Sequence, residues 1–267
     1  MDDSMIGRWL SELPMDDPTH KSFSKPLLRR FIHHDKPITR LGRISLGTEG
    51  IVLLVELEGV EYVMKLFFKW EHVMPHIVES DRLSERQKPY LCPFSRECRA
   101  FARLDSMGKN GTFAVKCHGW LKLSDEQFEQ YSKYPQYSRW AIIKDYLPNP
   151  ATRADIPEMK HKMEIAHKAL LYPQDQKPEN YRGSFMVDLG STKTWPFPKS
   201  QWWEEGRKLK FKYFHKGVEE WEFEEDGVEP CCYQFPQNDE PVSESKGNGQ
   251  IGKEHVEPQS FPEENSQ

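Results

Sequence analysis

Nothing in this 267-residue chain approaches the roughly 20 consecutive apolar residues that span a bilayer, so no transmembrane segment is expected. It opens Met1-Asp2-Asp3, without a basic stretch leading into an apolar one, and is therefore read as intracellular and soluble, in nucleus or cytoplasm. Positive charge is not in excess either. Thirty-seven Lys and Arg stand against 42 Asp and Glu, for a net charge of -5, which argues against a broad nucleic-acid footprint. Cysteine is sparse: Cys92, Cys98, Cys117, Cys231 and Cys232 show neither C-x-x-C nor His-paired zinc spacing, and read as reduced, mostly buried thiols. Apolar residues reach 37% and the mean hydropathy is -0.79, so parts of the chain are too polar to offset the entropy of folding.

What is present divides into four stretches. Residues 1–35 form an N-terminal arm with a short amphipathic piece (Ile6, Trp9, Leu10, Leu13), three prolines and the basic pair Arg29-Arg30. The arm reads either as a packing extension or as a partner-binding segment. Residues 36–200 hold the folded pattern. Runs at 44–46, 51–57 and 62–68, separated by Gly47, Gly50 and Gly59, predict a three-stranded antiparallel meander. A charged, proline-marked stretch to Pro93 precedes Phe94, Cys98, Phe101 and Leu104, whose spacing is that of a helix. Two further strands are expected within 113–123 and 139–147, around a polar linker. A second helix is expected over 155–171, with Asp155 as its N-cap and Pro157 in its first turn. The fold class is α+β, with five strands in one sheet. Residues 201–229 form an aromatic-rich extension that suits a hairpin (Leu209, Phe211, Tyr213) as well as a helix (Trp202 to Glu205). Residues 230–267, rich in Pro, Glu, Ser, Gln, Asn and Gly, are expected to be disordered.

Four features follow one another in the folded stretch. Gly47 and Gly50 flank a turn between strands, where bare backbone could approach phosphates, although an ordinary hairpin would look the same. Lys65 lies inside an apolar strand and needs a carboxylate partner unless it guards a sheet edge; Glu97, close to the apolar stripe of the following helix, can supply one. Asp175-Gln176-Lys177-Pro178-Glu179-Asn180 places Asp and Asn five residues apart around a lysine. Eight residues beyond Asn180, an apolar run ends in Asp188-Leu189-Gly190.

In this order the four features resemble the protein-kinase superfamily, with a two-lobe fold. The runs Phe94 to Phe101, Ile143 to Pro148 and Pro178 to Arg182 are similar to fungal kinase-like proteins grouped with a subunit of the Sim4 kinetochore complex. The resemblance covers residues 38–198. It implies ATP and Mg as cofactors, with Gly47, Gly50, Lys65 and Glu97 on the nucleotide, Asp175 and Lys177 as catalytic groups, and Asn180 and Asp188 as metal ligands. It also implies protein partners in a kinetochore complex.

The departures fall on the chemistry. Pro173-Gln174 stand where kinases carry His-Arg before the catalytic aspartate, and no A-P-E motif follows Gly190, so the second lobe is truncated. Glu49 lies where phosphate charge would sit, which predicts weak affinity for ATP. A scaffold or ligand-sensing pseudokinase is therefore expected, the alternative being an active, atypical phosphotransferase. The Trp202–Phe223 aromatics are either an interface or core packing of the short lobe.

Overall fold

The computed structural model describes residues 7–15, 26–73, 84, 87–199 and 202–223, all within one compact unit spanning Met1–Tyr233. Cys231, Cys232 and the tail expected to be disordered lie outside the described residues, as does most of the charged stretch between 74 and 86. The architecture is α+β. Its centre is a sheet of seven strands: β1 (Leu10–Pro14), β2 (Leu28–Arg30), β3 (Thr39–Leu46), β4 (Gly50–Leu57), β5 (Val60–Phe68), β6 (Cys117–Lys122) and β7 (Tyr137–Asp145). The spatial order is β1-β2-β6-β7-β5-β4-β3.

The five strands read from periodicity are all present, but the expected five-stranded sheet is corrected to seven. Two short segments of the arm, β1 and β2, pair in parallel beyond β6. Three to five residues carry too little periodicity to be read as strands, and this pairing depends on a close approach. At Gly119 (φ +117°) an added Cβ would lie 2.5 Å from the Arg29 carbonyl oxygen and 2.8 Å from the Phe31 nitrogen, so only glycine lets β2 lie against β6.

Both faces of the sheet are covered. On one, Ile51, Leu53, Val55, Met64, Leu66, Ala141 and Ile143 form a core with Tyr131. Tyr131 comes from α2 (Asp125–Ser132), a helix in the segment expected to be a polar linker. The signal was available: Ser124 and Gln127 close a reciprocal capping box. On the other face runs α1 (Pro93–Ser106), every residue of which from Pro93 to Leu104 is buried, including Arg96, Arg99 and Arg103. Arg99 and Arg103 reach backbone carbonyls. Arg99 donates to the carbonyls of Thr194 (2.5 Å) and Pro196, and Arg103 to that of Trp195 (2.5 Å). The Arg99 guanidinium also lies over the rings of Trp9 and Tyr90 at 4.8 and 4.6 Å, tying the arm to the helix.

Beyond the sheet, α3 (Ile156–Lys168) begins as expected. Asp155 is at its N-cap, but the carboxylate turns back to accept from the amide and hydroxyl of Thr152 at 2.9 and 2.8 Å, so it does not cap the helix. The strand pairs β8 (Leu171–Tyr172) with β11 (Lys193–Thr194), and β9 (Tyr181–Arg182) with β10 (Phe185–Met186), are each two residues long. The extension left open between hairpin and helix is helical, as α4 (Glu204–Gly217). Its buried side carries Phe214 and is followed by buried Val218, and Trp221 and Phe214 pack on Tyr181 at 5.6 and 6.3 Å.

Candidate functional site

Alternation along two strands places the central charges. In β5, Met64 and Leu66 face the α2 side, so Lys65 between them points toward α1. In β7, Ala141 and Ile143 face the α2 side, and Ile142 and Lys144 therefore share the α1 side with Lys65. The register pairs Lys65 with Ile142 and Val63 with Lys144, which puts the two lysines on a diagonal. Glu97 of α1 meets both. Its Oε2 lies 2.9 Å from Lys65 Nζ and its Oε1 2.8 Å from Lys144 Nζ. Glu97 has no exposure and each lysine side chain only 4%, so none of the three could be left alone without a large desolvation cost.

Two more carboxylates complete the cluster. Lys65 Nζ donates to Asp188 Oδ1 at 2.8 Å and to Glu49 Oε2 at 3.2 Å, while its contact with Glu97 is an ion pair without hydrogen-bond alignment. Lys144 Nζ also donates to the Val187 carbonyl at 2.7 Å, which holds the chain just before Asp188 against β7. Asp188 Oδ1 accepts a further bond from the Gly190 amide at 2.8 Å. Burial alone would raise the Asp188 carboxyl, but Lys65 and Lys144 hold it far below the usual carboxylate range. Burial likewise opposes the charge on Lys65, and Asp188, Glu97 and Glu49 together raise it well above an ordinary lysine. For Glu49 burial prevails: against the pull of Lys65, desolvation and the nearby Asp188 and Glu97 charges push its carboxyl up. Three carboxylates thus surround two ammonium groups, and Glu49 is the one held at the greatest distance.

The glycine turn is tight. Gly47 N donates to the Gly50 carbonyl at 3.0 Å, closing a four-residue turn with Thr48 and Glu49 at its tip, so this amide is committed inside the chain. Phe68 N donates to the Glu49 carbonyl at 2.8 Å and anchors the tip over β5.

The predicted loop residues come together beside this cluster. Asn180 Nδ2 donates to the Asp175 carbonyl at 2.8 Å and to Asp175 Oδ2 at 3.0 Å, and Lys177 Nζ pairs with the same Oδ2 at 3.4 Å. The Asn180 carbonyl accepts from Val187 N at 2.8 Å, fixing the loop against the residue that precedes Asp188. Asp175 and Lys177 remain about half exposed. His167 and Arg207 join α3 to α4. Arg207 Nη1 lies 2.9 Å from His167 Nδ1 and donates to the His167 carbonyl at 2.9 Å, while Phe211 stacks on the imidazole at 4.5 Å.

Reasoning from sequence paired Lys65 with Glu97 and noted Glu49, but assigned nothing to Lys144, Arg99 or Arg103. The missed signal for Lys144 was a second lysine inside an apolar strand, Ala141-Ile142-Ile143-Lys144, the same pattern that singled out Lys65. A groove of about 490 Å³ lies on aromatic walls that include Phe67, Phe94, Phe128 and Trp140; none of the predicted site residues lines it. Among the described residues no three His, Cys, Asp or Glu side chains converge as a metal-holding group.

The structure therefore defines an α+β protein organised around a largely buried cluster of three carboxylates and two lysines. The profile of the family described as kinetochore Sim4 complex subunit FTA2 matches residues 13–193, well over half of the chain, and the chain belongs to that family. The match begins within the arm, takes in β2 to β10 and ends at the first residue of β11. No curated protein matches the chain. No helix among the described residues is long and apolar enough to cross a membrane.

Proposed function

We propose that this chain is a non-catalytic, kinase-like scaffold subunit of a Sim4-type kinetochore complex, acting through protein partners in the nucleus. The observation that carries this reading is Glu97 shared between Lys65 and Lys144 with no exposure to solvent. In a phosphotransferase the strand lysine holds nucleotide phosphates and the helix glutamate only orients it. Here a second lysine engages the same glutamate, and Lys65 is saturated by carboxylates of its own chain. The five groups cross-link β5, β7, α1, the glycine turn and the segment ending at Asp188, which is a structural service. As arranged, they do not fit Mg-ATP. The cluster already has one negative charge in excess, and the place next to Lys65 where a phosphate would bind is taken by Glu49.

Partner binding is assigned to the outer side of α4 and the residue before it. Trp203 is 59% and Tyr213 61% exposed, and Lys208, Lys212 and Lys216 form an exposed row at four-residue spacing beside Leu209 and Tyr213. Large exposed aromatics mixed with cations suit a protein interface. The alternative, an active phosphotransferase, is favoured by one observation, the approach of Asp175, Asn180 and the Val187–Asp188 segment.

Asp175 separates the two, because its half-exposed carboxylate serves catalysis in one reading and only the local contacts with Asn180 and Lys177 in the other. In a strain whose sole copy carries Asp175→Ala, chromosome loss should stay at the wild-type rate, whereas Tyr213→Ala combined with Lys212→Glu should raise it. Purified wild type should transfer no radiolabelled phosphate from Mg-ATP. Phosphate transfer that Asp175→Ala abolishes would overturn the scaffold reading.

A further inference from the structure

One member of the charge cluster is held more loosely than the others. Glu97 is locked between two lysines, and Asp188 is held by Lys65 and the Gly190 amide. Glu49 instead comes from the tip of a turn and lies farthest of the three from Lys65 Nζ, at 3.2 Å against 2.8 Å for Asp188 and 2.9 Å for Glu97. It nevertheless sits deep. An added Cβ on Gly190 would lie 2.0 Å from Glu49 Oε2 and 2.9 Å from its Cδ, so the carboxylate occupies the space that a side chain at position 190 would fill. Lys65 Nζ donates to Glu49 at the glycine turn and to Asp188, and its 2.9 Å contact with Glu97 lacks hydrogen-bond alignment, so two of its partners lie on the side of the turn and the Asp188 segment.

We infer that Glu49 is an internal ligand: its carboxylate occupies an anion seat formed by Lys65 and Gly190, and a phosphate-class anion binds there only after Glu49 has swung out. The inference rests on the reading of this cleft as kinase-like and adds the means by which it is closed. Lys65 is already in place and needs no rearrangement to receive an outside anion, and the rest of the cluster stays braced by Lys144. Displacement costs the Lys65–Glu49 contact and needs only the Glu49 side chain to swing out, the backbone of the turn staying anchored by Phe68 N. A closed state of this kind taxes the affinity of an outside anion by the fraction of molecules in which the seat is open.

The test uses the full chain, with inorganic phosphate and Mg-ATP as separate probes in calorimetry and thermal shift, against sodium chloride at matched ionic strength. Glu49→Ala should bind at least one of the two probes about tenfold or more tightly than wild type. Glu49→Ser, a second truncation that empties the seat, should move affinity in the same direction, whereas Gly190→Ala, whose methyl would fill the seat, should not. Adding Lys65→Met to Glu49→Ala should abolish the gain. Two variants guard against misfolding of either. Wild-type affinity equal to that of Glu49→Ala, no binding by either opened variant, or a gain that survives Lys65→Met would each overturn the inference. Failure of this kind leaves the scaffold proposal standing, because that proposal falls only on phosphate transfer.

Discussion

Lys144→Met is the most informative perturbation of the cluster. Methionine keeps most of the lysine stem's volume, so the change removes an ammonium with little loss of packing. The ammonium holds Glu97 Oε1 at 2.8 Å and the Val187 carbonyl at 2.7 Å, both away from water. Removing one partner of a buried ion pair typically costs about 3–5 kcal/mol, because the remaining charge stays desolvated. Lys65 remains 2.9 Å from the other oxygen of Glu97 and softens the loss, so about 3 kcal/mol is expected here. For a domain of this size that corresponds to a fall in Tm of roughly 6–12 °C, at about 2–4 °C per kcal/mol. Urea unfolding should show a lower midpoint with an unchanged slope. Glu97→Gln in the same background should cost much less than it does alone, with a coupling of about 2 kcal/mol in the double-mutant cycle. A loss below about 1 kcal/mol for Lys144→Met, or additive single and double variants, would refute the view that this cluster cross-braces the fold.

Gly119→Ala should be among the most harmful single methyl additions, since the new Cβ meets backbone at 2.5 and 2.8 Å and the residue holds φ +117°. A loss of more than about 2 kcal/mol is expected, read by thermal unfolding. Phe214→Ala should cost about 3–5 kcal/mol by emptying the α4 contact with Tyr181 and Trp221, and a change under about 1 kcal/mol would argue that α4 is not docked. His167 supplies a pH dependence. Burial, and then the Arg207 charge beside Nδ1, lowers its pKa, against the weaker opposing pull of Glu204. A lowered folded pKa means that the stabilisation is complete above the usual histidine range and is lost as pH falls through the folded value. His215 shifts in the same direction, so His167→Gln should flatten, without abolishing, the loss of stability on acidification, as measured by urea midpoints from neutral pH downward.

Local pattern was enough for the central hairpins. Alternation in Ile51 to Leu57 and Tyr62 to Phe68, punctuated by Gly47, Gly50 and Gly59, specifies β3 to β5 because strand period and turn chemistry are properties of neighbouring residues. The same holds for α1 and α3, and for the pairing of Lys65 with Glu97, since a buried ammonium in an apolar strand demands an anion and the next helix carries one near its apolar stripe. What tertiary structure alone decided is long-range. β1 and β2 became strands only because Gly119 admits a neighbouring backbone at a sheet edge, a fact absent from their own three to five residues. The extension became a helix rather than a hairpin when Phe214 and Val218 found a core to enter and Arg207 found His167, 40 residues away in the chain. The cluster itself joins Glu49 to Lys65 across 16 residues, Lys144 to Glu97 across 47 and Lys65 to Asp188 across 123. Sequence could name the charges that needed partners. Which charge answered which was settled by strand register and by the single face of the sheet on which Lys65 and Lys144 meet α1, and neither is encoded within reach of any one segment.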